Sequence, residues 1–327
     1  MPMPQLAKIH FYPACRLIPT EGYGKAEIGF LSGAKDMGLG ILSSPSPDAI
    51  SLQFGNPKWG ANLPPQGRNW LWTMIESTKA SKQWVDNINR YYERIIVPSP
   101  CQVDYFRESG VTLPIHYIPL GVDAFPIVYK EREISNPFTF LTYSYGDMRK
   151  GAELVVLAFL ALYRGNMDYK LIIKARDNAD VMWLQQVQSE QIEVIGGKLS
   201  EDALQALYQQ AHCFVFPSRA EGFGLPPREA VLSGLPTITS RWLGLWDSEQ
   251  WAFPLPVERM VQAQYMSVIN NAPDGLWAEP NFDILRMHMA YIPQNYERAI
   301  AHTEKGACYL NTFFTWKESV KQFIELL

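Results

Sequence analysis

Residues 212–230 read HCFVFPSRAEGFGLPPREA, and this stretch decides the fold prediction. Its first part contains a short apolar run, CFVF, of the kind that forms a buried strand in a parallel sheet. A Gly-x-Gly loop and two prolines follow, and proline is tolerated in the first turn of a helix. The stretch therefore predicts a strand, a glycine loop and the start of a helix, which together form one βα unit.

The same alternation of apolar runs and amphipathic stretches extends along the chain on both sides of this unit. Strands are predicted near residues 7–12, 50–54, 70–75, 95–98, 115–118, 138–143, 170–173, 192–195, 213–216 and 236–239. Helices are predicted near residues 25–37, 81–90, 101–109, 152–164, 202–210, 227–233 and 316–327, the last with Val320, Phe323, Ile324 and Leu327 on one stripe. Residues 242–293 show no clean periodicity and stay unassigned. The pattern predicts two α/β domains joined by a linker near residues 121–137.

Composition excludes several classes of protein. The 327 residues carry 29 Lys and Arg against 33 Asp and Glu, a net charge of −4, whereas nucleic-acid coats and polybasic membrane anchors need an excess of cations. The four cysteines are scattered without a Cys-x-x-Cys pair, which argues against a disulfide framework or a zinc site and favours a reducing cytoplasm. Neither a signal peptide nor a membrane-spanning segment is expected.

Two carboxylates bracket the glycine loop, Glu221 before it and Glu229 one turn into the predicted helix. A carboxylate accepts two hydroxyl hydrogen bonds at once, so such a pair suits the vicinal diol of a ribose or a sugar ring. The N–H groups at the start of the helix suit an anionic group. The spacing alone leaves another interpretation open, in which Glu221 caps the helix and Glu229 is a solvated acid.

The stretch resembles the signature of the retaining nucleotide-sugar glycosyltransferases of family four, which have the GT-B fold. The residues that carry the resemblance are Glu221 and Glu229, the Gly222-Phe223-Gly224 loop, Arg149-Lys150-Gly151, Lys174 at the end of its strand, and the stretch from Trp72 to Asp123. The resemblance covers about residues 21–234, with a weaker match at Trp316.

The resemblance implies an α/β protein with the GT-B fold, in which two Rossmann-like domains face each other across a cleft. The expected domains are an acceptor domain at residues 1–125 and a nucleotide-sugar domain at residues 126–310. A C-terminal helix at residues 311–327 is expected to pack back on the first domain. We expect a cytoplasmic location, the inner face of the membrane included, with at most peripheral membrane contact.

The implied reaction moves a sugar from a nucleotide diphosphate sugar to an acceptor hydroxyl with retention and without a metal. A leaving diphosphate needs positive charge, and no Asp-x-Asp pair is present, so protein cations must supply it and neither metal nor cofactor is expected. The expected catalytic residues are Glu221, Lys150, Arg149 and Glu76. The expected donor-binding residues are Gly22, Tyr23, Gly24, Lys174, Gly222, Phe223, Gly224, Leu225 and Glu229.

Several alternatives remain open from the sequence. Arg149 suits a solvent-exposed cation as well, and Glu76, which stands where many family members carry a donor-contacting His, also suits the cap of the next helix. A catalytically silent GT-B domain that binds nucleotide sugars or acts as a scaffold is the second functional class. The donor base and sugar stay open, as does the acceptor, for which a nucleic acid is not favoured.

Overall fold

The structure is a computed structural model that describes residues 8–12, 22–46, 48–63, 67–124, 127–144, 148–176, 184–264 and 275–327. The chain divides into two compact units. Unit 1 consists of Met1–Pro126, Pro273–Gly275 and Phe313–Leu327, and unit 2 consists of Ile127–Ala272 and Leu276–Thr312.

Strands and helices alternate along most of the described chain. The strands are β1 (Lys8–Tyr12), β2 (Ile41–Leu42), β3 (Ala49–Phe54), β4 (Arg68–Trp72), β5 (Arg94–Val97), β6 (Ile115–Tyr117), β7 (Phe138–Ser144), β8 (Tyr169–Ala175), β9 (Ile192–Ile195), β10 (Cys213–Phe216), β11 (Thr237–Ser240), β12 (Phe253–Leu255), β13 (Val257–Gln262) and β14 (Leu276–Pro280). The helices are α1 (Gly22–Asp36), α2 (Lys82–Tyr91), α3 (Pro100–Glu108), α4 (Ala152–Tyr163), α5 (Glu201–Gln210), α6 (Leu225–Leu232), α7 (Phe282–Gln294), α8 (Tyr296–Phe313) and α9 (Trp316–Ile324). The predicted α/β class is confirmed.

The sheet of unit 1 has six parallel strands in the order β2-β1-β3-β4-β5-β6. Every residue of β3 is buried, as expected for a central strand of a parallel sheet that is covered on both faces. Phe54 and Trp72, the last residues of β3 and β4, stack with 5.0 Å between ring centroids, and Phe30 of α1 meets Trp72 edge-on at 6.0 Å. An aromatic core therefore lies at the carboxyl ends of these strands.

Helix α9 packs against α1 within unit 1. The Asp123 carboxylate accepts a hydrogen bond from the Trp316 N–H at 2.7 Å, which fixes the start of α9. The Trp316 indole lies directly over Gly29, and a Cβ atom at that position would collide with the ring. The contact therefore requires a residue without a side chain at this point of α1.

The apolar stripe predicted for the last helix is correct only in part. Val320 and Phe323 are fully buried, whereas α9 ends at Ile324 and Leu327 is exposed. Because the helix stops three residues before the end of the chain, Leu327 does not continue the stripe.

The sheet of unit 2 also has six parallel strands, in the order β12-β11-β10-β7-β8-β9. Chain order runs outward in one direction from β7 through β8 to β9, and in the other direction from β10 through β11 to β12. The strand order therefore reverses between β7 and β10. In open α/β sheets, ligands bind outside the carboxyl ends of the strands at such a switch point.

The stretch that sequence reasoning left unassigned, residues 242–293, has regular structure within its described part. It contains β12 at the edge of the sheet, the antiparallel pair β13 and β14, and most of α7. Trp251 and Trp277 are among its buried side chains. Its strands are short and its helix follows a two-stranded ribbon, so no long periodic pattern marked it.

Residues 127–137 of the stretch predicted as a linker are bound to unit 2. Arg132 Nη1 donates to the carbonyls of Tyr208 and Ala211, both at 2.7 Å, and Arg132 Nη2 donates to the Ser233 carbonyl at 2.9 Å. Lys130 N–H also donates to Ser233 O at 3.2 Å. This segment is therefore bound along the helix ends rather than being a loose connection.

Candidate functional site

The switch point of unit 2 brings together two loops that are far apart in sequence. After β7 the chain forms a short turn, Met148–Lys150, and then enters α4. After β10 it forms the loop 217–224, which leads into α6. Since β7 and β10 are neighbouring parallel strands, both loops lie at the same edge of the sheet.

The two cations after β7 and the carboxylate after β10 form one buried cluster. Glu221 Oε1 accepts hydrogen bonds from Lys150 Nζ at 2.5 Å and from Arg149 Nη1 at 3.3 Å. Ser218 Oγ donates to the same oxygen at 2.6 Å. Arg149 is 5% exposed, Lys150 9% and Glu221 4%. The alternative interpretation of Arg149 as a solvent-exposed cation is therefore wrong.

The cluster keeps Glu221 ionised and retains positive charge. Burial alone would raise the pKa of Glu221, but the charges of Lys150 and Arg149, with hydrogen bonds from Lys150 and Ser218, hold it below its ordinary value. Two cations and one carboxylate leave a net charge of about +1 in a buried setting. Such a site suits an anion with several oxygen atoms.

Gly151 allows the two loops to approach each other. It adopts a φ of 69° at the N-cap of α4, and a Cβ atom there would collide with the Pro217 carbonyl. Both the left-handed backbone and the close approach favour glycine. This position therefore lets Lys150 reach Glu221 from the neighbouring strand.

Arg219 holds the turn Met148–Lys150, the basic turn, in place, and sequence reasoning missed this role. Its Nε and Nη2 atoms donate to Glu279 at 2.7 and 2.8 Å, and Nη1 lies 2.6 Å from Glu153 Oε1 and also donates to the Met148 carbonyl. The Arg219 N–H donates to Arg149 O at 2.6 Å. Burial raises the pKa of Glu153, although Arg219 opposes that effect. Glu279 lies in the unassigned stretch, so nothing in the sequence paired it with Arg219.

The helix that follows the glycine loop presents fewer free backbone N–H groups at its start than an ordinary helix does. Gly224, with a φ of 82°, is the N-cap of α6 and caps it without a side-chain hydrogen bond. The alternative interpretation of Glu221 as the helix cap is therefore wrong. The helix begins at Leu225, so Pro226 and Pro227 occupy its first turn and remove two of the N–H groups that a helix start normally presents.

A third buried guanidinium, that of Arg228, lies beneath this loop, and sequence reasoning assigned it no role. Arg228 Nη1 donates to the carbonyls of Phe223, Gly224 (3.3 Å) and Gly244 (3.1 Å). Its Nη2 donates to Asp247 Oδ1 at 2.6 Å. Burial raises the pKa of Asp247, although the charge of Arg228 opposes that effect. One side chain thus ties the glycine loop to residues 244–247.

Glu229 and Lys174 lie near two tyrosines, the half-buried Tyr143 and the buried Tyr208. Lys174 is near the end of β8 and pairs in register with Tyr143 of β7. Burial raises the pKa values of Tyr143 and Tyr208, and the nearby Glu229 charge raises them further. Tyr208 Oη donates to Pro226 O at 3.2 Å in the first turn of α6. Glu229 itself is half-buried at this edge of the sheet.

Gly22, Tyr23 and Gly24, which were expected to bind the donor, lie in a helix. Helix α1 begins at Gly22, three residues earlier than the predicted start. Tyr23 Oη accepts a hydrogen bond from the Met74 N–H at 3.3 Å. The predicted start of this helix was therefore three residues too late, and Gly22, Tyr23 and Gly24 form its first turn.

Glu76 lies in the bend after β4, two residues beyond Met74, and is half-buried. The cap of the following helix is Ser81, whose Oγ accepts from the Trp84 N–H at 3.3 Å. The alternative interpretation of Glu76 as that cap is therefore wrong. Gly22, Tyr23, Gly24 and Glu76 belong to unit 1, whereas the other predicted site residues belong to unit 2.

Residues 127–247 match the sequence model of the family described as Glycosyl transferases group 1. This segment lies within unit 2 and contains both the basic turn and the glycine loop. HepE of Anabaena, a GT-B protein solved with UDP and glucose, shares the fold at a TM-score of 0.68 and 12% identity, over 98% of this chain and 100% of that chain. The chain has the GT-B fold, and its residues 127–247 are similar to the group 1 glycosyltransferases. The predicted family resemblance and fold class are confirmed.

Two curated proteins are similar to part of this chain. A GDP-mannose-dependent alpha-mannosyltransferase of Corynebacterium glutamicum is 27% identical over 173 residues, which is 50% of this chain and 39% of the relative. Mannosylfructose-phosphate synthase of Agrobacterium fabrum is 25% identical over 265 residues, 73% of this chain and 54% of the relative. The alignments thus span less than two thirds of each relative's length.

Two further observations apply to the described residues. None of the helices in the described ranges is long and apolar enough to cross a membrane. Within the same ranges, no group of three or more His, Cys, Asp and Glu side chains is arranged to hold a metal ion.

Proposed function

We propose that this chain is a glycosyltransferase that moves a sugar from a nucleotide diphosphate sugar to an acceptor hydroxyl. The observation that carries the proposal is the buried cluster of Arg149, Lys150 and Glu221 at the switch point of unit 2, inside a group 1 domain. A net positive site beside a helix start suits the diphosphate of such a donor.

The cations stabilise the leaving group. When the bond between the sugar C1 and the diphosphate oxygen breaks, negative charge grows on the diphosphate. Lys150 and Arg149 are fixed by Glu221 and by the turn that Arg219 holds, so they need little reorganisation as the charge develops. Lys174, near the end of β8, adds a third cation to this role.

The carboxylates bind hydroxyl groups of the donor. We assign the ribose diol to Glu229, which lies near the carboxyl ends of β7 and β8. Glu221 Oε1 already accepts three hydrogen bonds, so contact with the donor sugar falls to its Oε2 atom. The glycine loop, Gly222–Gly224 with Leu225, orients the same part of the donor.

We further propose that the anomeric configuration is retained and that no metal takes part. The acceptor oxygen attacks C1 on the face from which the diphosphate leaves, and the leaving phosphate oxygen takes the acceptor proton. No protein nucleophile is needed in this scheme. Unit 1, with Gly22, Tyr23, Gly24 and Glu76, is assigned to the acceptor and the neighbouring part of the donor.

Mannose is the donor sugar that we favour. The names of both curated relatives given above contain a mannosyl group, and one relative is GDP-mannose-dependent. The solved neighbour HepE was crystallised with UDP and glucose, which makes UDP-glucose the natural comparison.

The decisive experiment incubates the protein with GDP-mannose, UDP-glucose or ADP-glucose and a panel of sugar and sugar-phosphate acceptors. We expect release of the nucleoside diphosphate with one donor, an α-linked product by NMR, and unchanged rates in EDTA. The Glu229→Gln variant should bind that nucleotide about 10- to 100-fold more weakly, from the roughly 1.5–3 kcal/mol typical of a hydrogen bond to a charged group. Glu297→Gln, an exposed acid on α8, is the matched control.

Four outcomes would contradict parts of the proposal. Donor binding without transfer to any acceptor and without hydrolysis would favour the catalytically silent GT-B alternative. An inverted product would overturn retention, and loss of activity in EDTA that added Mg²⁺ restores would overturn metal independence. Unchanged nucleotide affinity in Glu229→Gln would remove the ribose assignment.

A further inference from the structure

Hydrogen bonds fix several backbone carbonyls of the glycine loop, and their donors lie on the same side of the loop. The Glu221 carbonyl accepts a hydrogen bond from the Gly244 N–H at 2.9 Å. The carbonyls of Phe223 and Gly224 both accept from Arg228 Nη1. All three carbonyl oxygens thus point toward the buried side of the loop, where Arg228 and Gly244 lie.

This arrangement determines where the corresponding N–H groups point. A trans peptide group is planar, with its C=O and N–H bonds antiparallel. The carbonyl of Phe223 shares a peptide group with the N–H of Gly224, and the carbonyl of Gly224 shares one with the N–H of Leu225. Both N–H groups are therefore aimed away from Arg228, toward the outer side of the loop.

These two N–H donors matter more for anion binding here than they would at an ordinary helix start. A helix normally presents four N–H groups without intrahelical partners in its first turn. In α6, Pro226 and Pro227 have no N–H to present. Anion binding at this helix start therefore depends on the orientation of the Gly224 and Leu225 N–H groups.

Burying the Arg228 guanidinium has a large desolvation cost, so stabilising the loop does not by itself explain the residue. Arg228 is fully buried, with its guanidinium carbon 4.1 Å from the Phe223 ring centroid and 4.9 Å from that of Trp251, and its charge partner is Asp247. Removing two charges from water costs about as much as their attraction returns, so an apolar pair of similar volume is often as stable. What an apolar pair lacks is the set of donors that fixes the loop carbonyls.

We propose that Arg228, anchored by Asp247, is a positioning residue that presets the Gly224 and Leu225 N–H groups for the diphosphate of the donor. The inference rests on the function proposed above. Arg228 acts from beneath the loop, and its effect on the reaction passes through the backbone.

The test separates orientation from stability by removing both charges at once. In Arg228→Met the Asp247 carboxylate is left buried without its partner, and we expect a lower melting temperature together with lost activity. In the double variant Arg228→Met, Asp247→Leu we expect melting within about 3 °C of the wild type, because no unpaired charge remains. Its kcat should still be about 100-fold below that of the wild type, because the donors aimed at the growing charge are no longer fixed.

Two further variants complete the comparison. Arg228→Lys keeps a charge for Asp247, but one ammonium group cannot reach three carbonyls and Asp247 together, so we expect normal folding and kcat at least tenfold lower. The exposed pair Arg241 and Glu249 in the same unit provides the matched control, Arg241→Met with Glu249→Leu, which should leave both melting and kcat unchanged.

The outcomes distinguish this inference from the proposed function. If the double variant, or Arg228→Lys, folds and turns over within threefold of the wild type, Arg228 is merely structural and the inference is wrong. If the wild type itself transfers no sugar and binds no nucleoside diphosphate, the proposed function fails and the inference fails with it.

Discussion

Units 1 and 2 each contain a six-stranded parallel sheet, but different side chains lie at the carboxyl ends of the strands: aromatic ones in unit 1 and charged ones in unit 2. In unit 1, β3 and β4 end in stacked Phe54 and Trp72, covered by Phe323 and Trp316 from the C-terminal helix α9. In unit 2, the equivalent edge holds a network of buried charges. Among the described residues, every buried Lys or Arg belongs to unit 2: Arg149, Lys150, Arg219 and Arg228.

The aromatic cluster of unit 1 and the buried charges of unit 2 serve different purposes, the first stability and the second function. Aromatic burial in unit 1 contributes directly to folding, because apolar area is removed from water. Buried ion pairs contribute little net stability, so the charge network of unit 2 is better explained by what it orients. Substitutions in the two regions should therefore change different measured quantities.

The largest expected effect is on the aromatic side of the comparison. Trp316→Ala should lower the opening free energy of β3 and β4 by about 3–5 kcal/mol, the usual cost of removing a buried Trp. Hydrogen exchange of peptides covering these strands measures it. Trp59→Ala, at a Trp that is 40% exposed in the same unit, should cost less than about 1 kcal/mol. Equal losses in the two variants would contradict the role given to α9.

A substitution of Lys150 tests the role of the buried charges in unit 2. Lys150→Met should lower kcat about 10²- to 10³-fold, as expected when a fixed donor to a developing oxyanion is lost. Lys170→Met, which breaks the part-exposed pair with Glu193 in the same sheet, is the matched control and should leave kcat unchanged. The measurement is steady-state transfer with the donor identified above, after thermal melts show that both variants fold. Turnover by Lys150→Met within threefold of the wild type would remove the charge argument.

The smallest expected effect concerns the amino end of β10 in unit 2. His212 Nδ1 accepts from the Thr139 N–H at 2.9 Å, and its Nε2 atom lies 2.9 Å from Ser135 Oγ. Burial, with the charges of Arg132 and Lys130, lowers the pKa of His212 to about 4. Because the unfolded chain takes up this proton near pH 6.5, stability that is present above that pH is lost as the pH falls toward 4.

Replacing the ring should remove this pH dependence. His212→Asn keeps an acceptor for Thr139 but cannot titrate, so unfolding free energy should change less between pH 7 and pH 4.5 than in the wild type. We expect a difference of roughly 1 kcal/mol after allowing for solvent screening. Urea titrations at both pH values measure it, and identical pH profiles would show that His212 does not titrate as described.

Much of the fold followed from local signals in the sequence. The predicted strand near 192–195 matches β9, and the helix predicted near 152–164 matches α4, because apolar periodicity and turn residues lie within each element. Strand β2 was missed because two residues carry no period. The pair β13 and β14 was missed because Pro, Trp and Met broke the alternation around it.

The candidate site was predictable as a set of residues but only partly as an arrangement. The glycine loop and the basic turn were both expected at strand ends. That Glu221 would bind Lys150 and Arg149 on a single oxygen was not expected, nor were the roles of Arg219 and Arg228. Their partners, Glu279 and Asp247, carry no signature of their own.

Local sequence signals were enough to predict two α/β units, the strand that leads into the glycine loop, and the resemblance that points to sugar transfer. The pairing of the buried charges is visible only in the folded chain: Lys150 meets Glu221 across 71 positions, Arg219 meets Glu279 across 60, and Arg228 meets Asp247 across 19. The reason is physical. Periodicity and turn preferences act between near neighbours, whereas a buried ion pair depends on where parallel strands end beside each other.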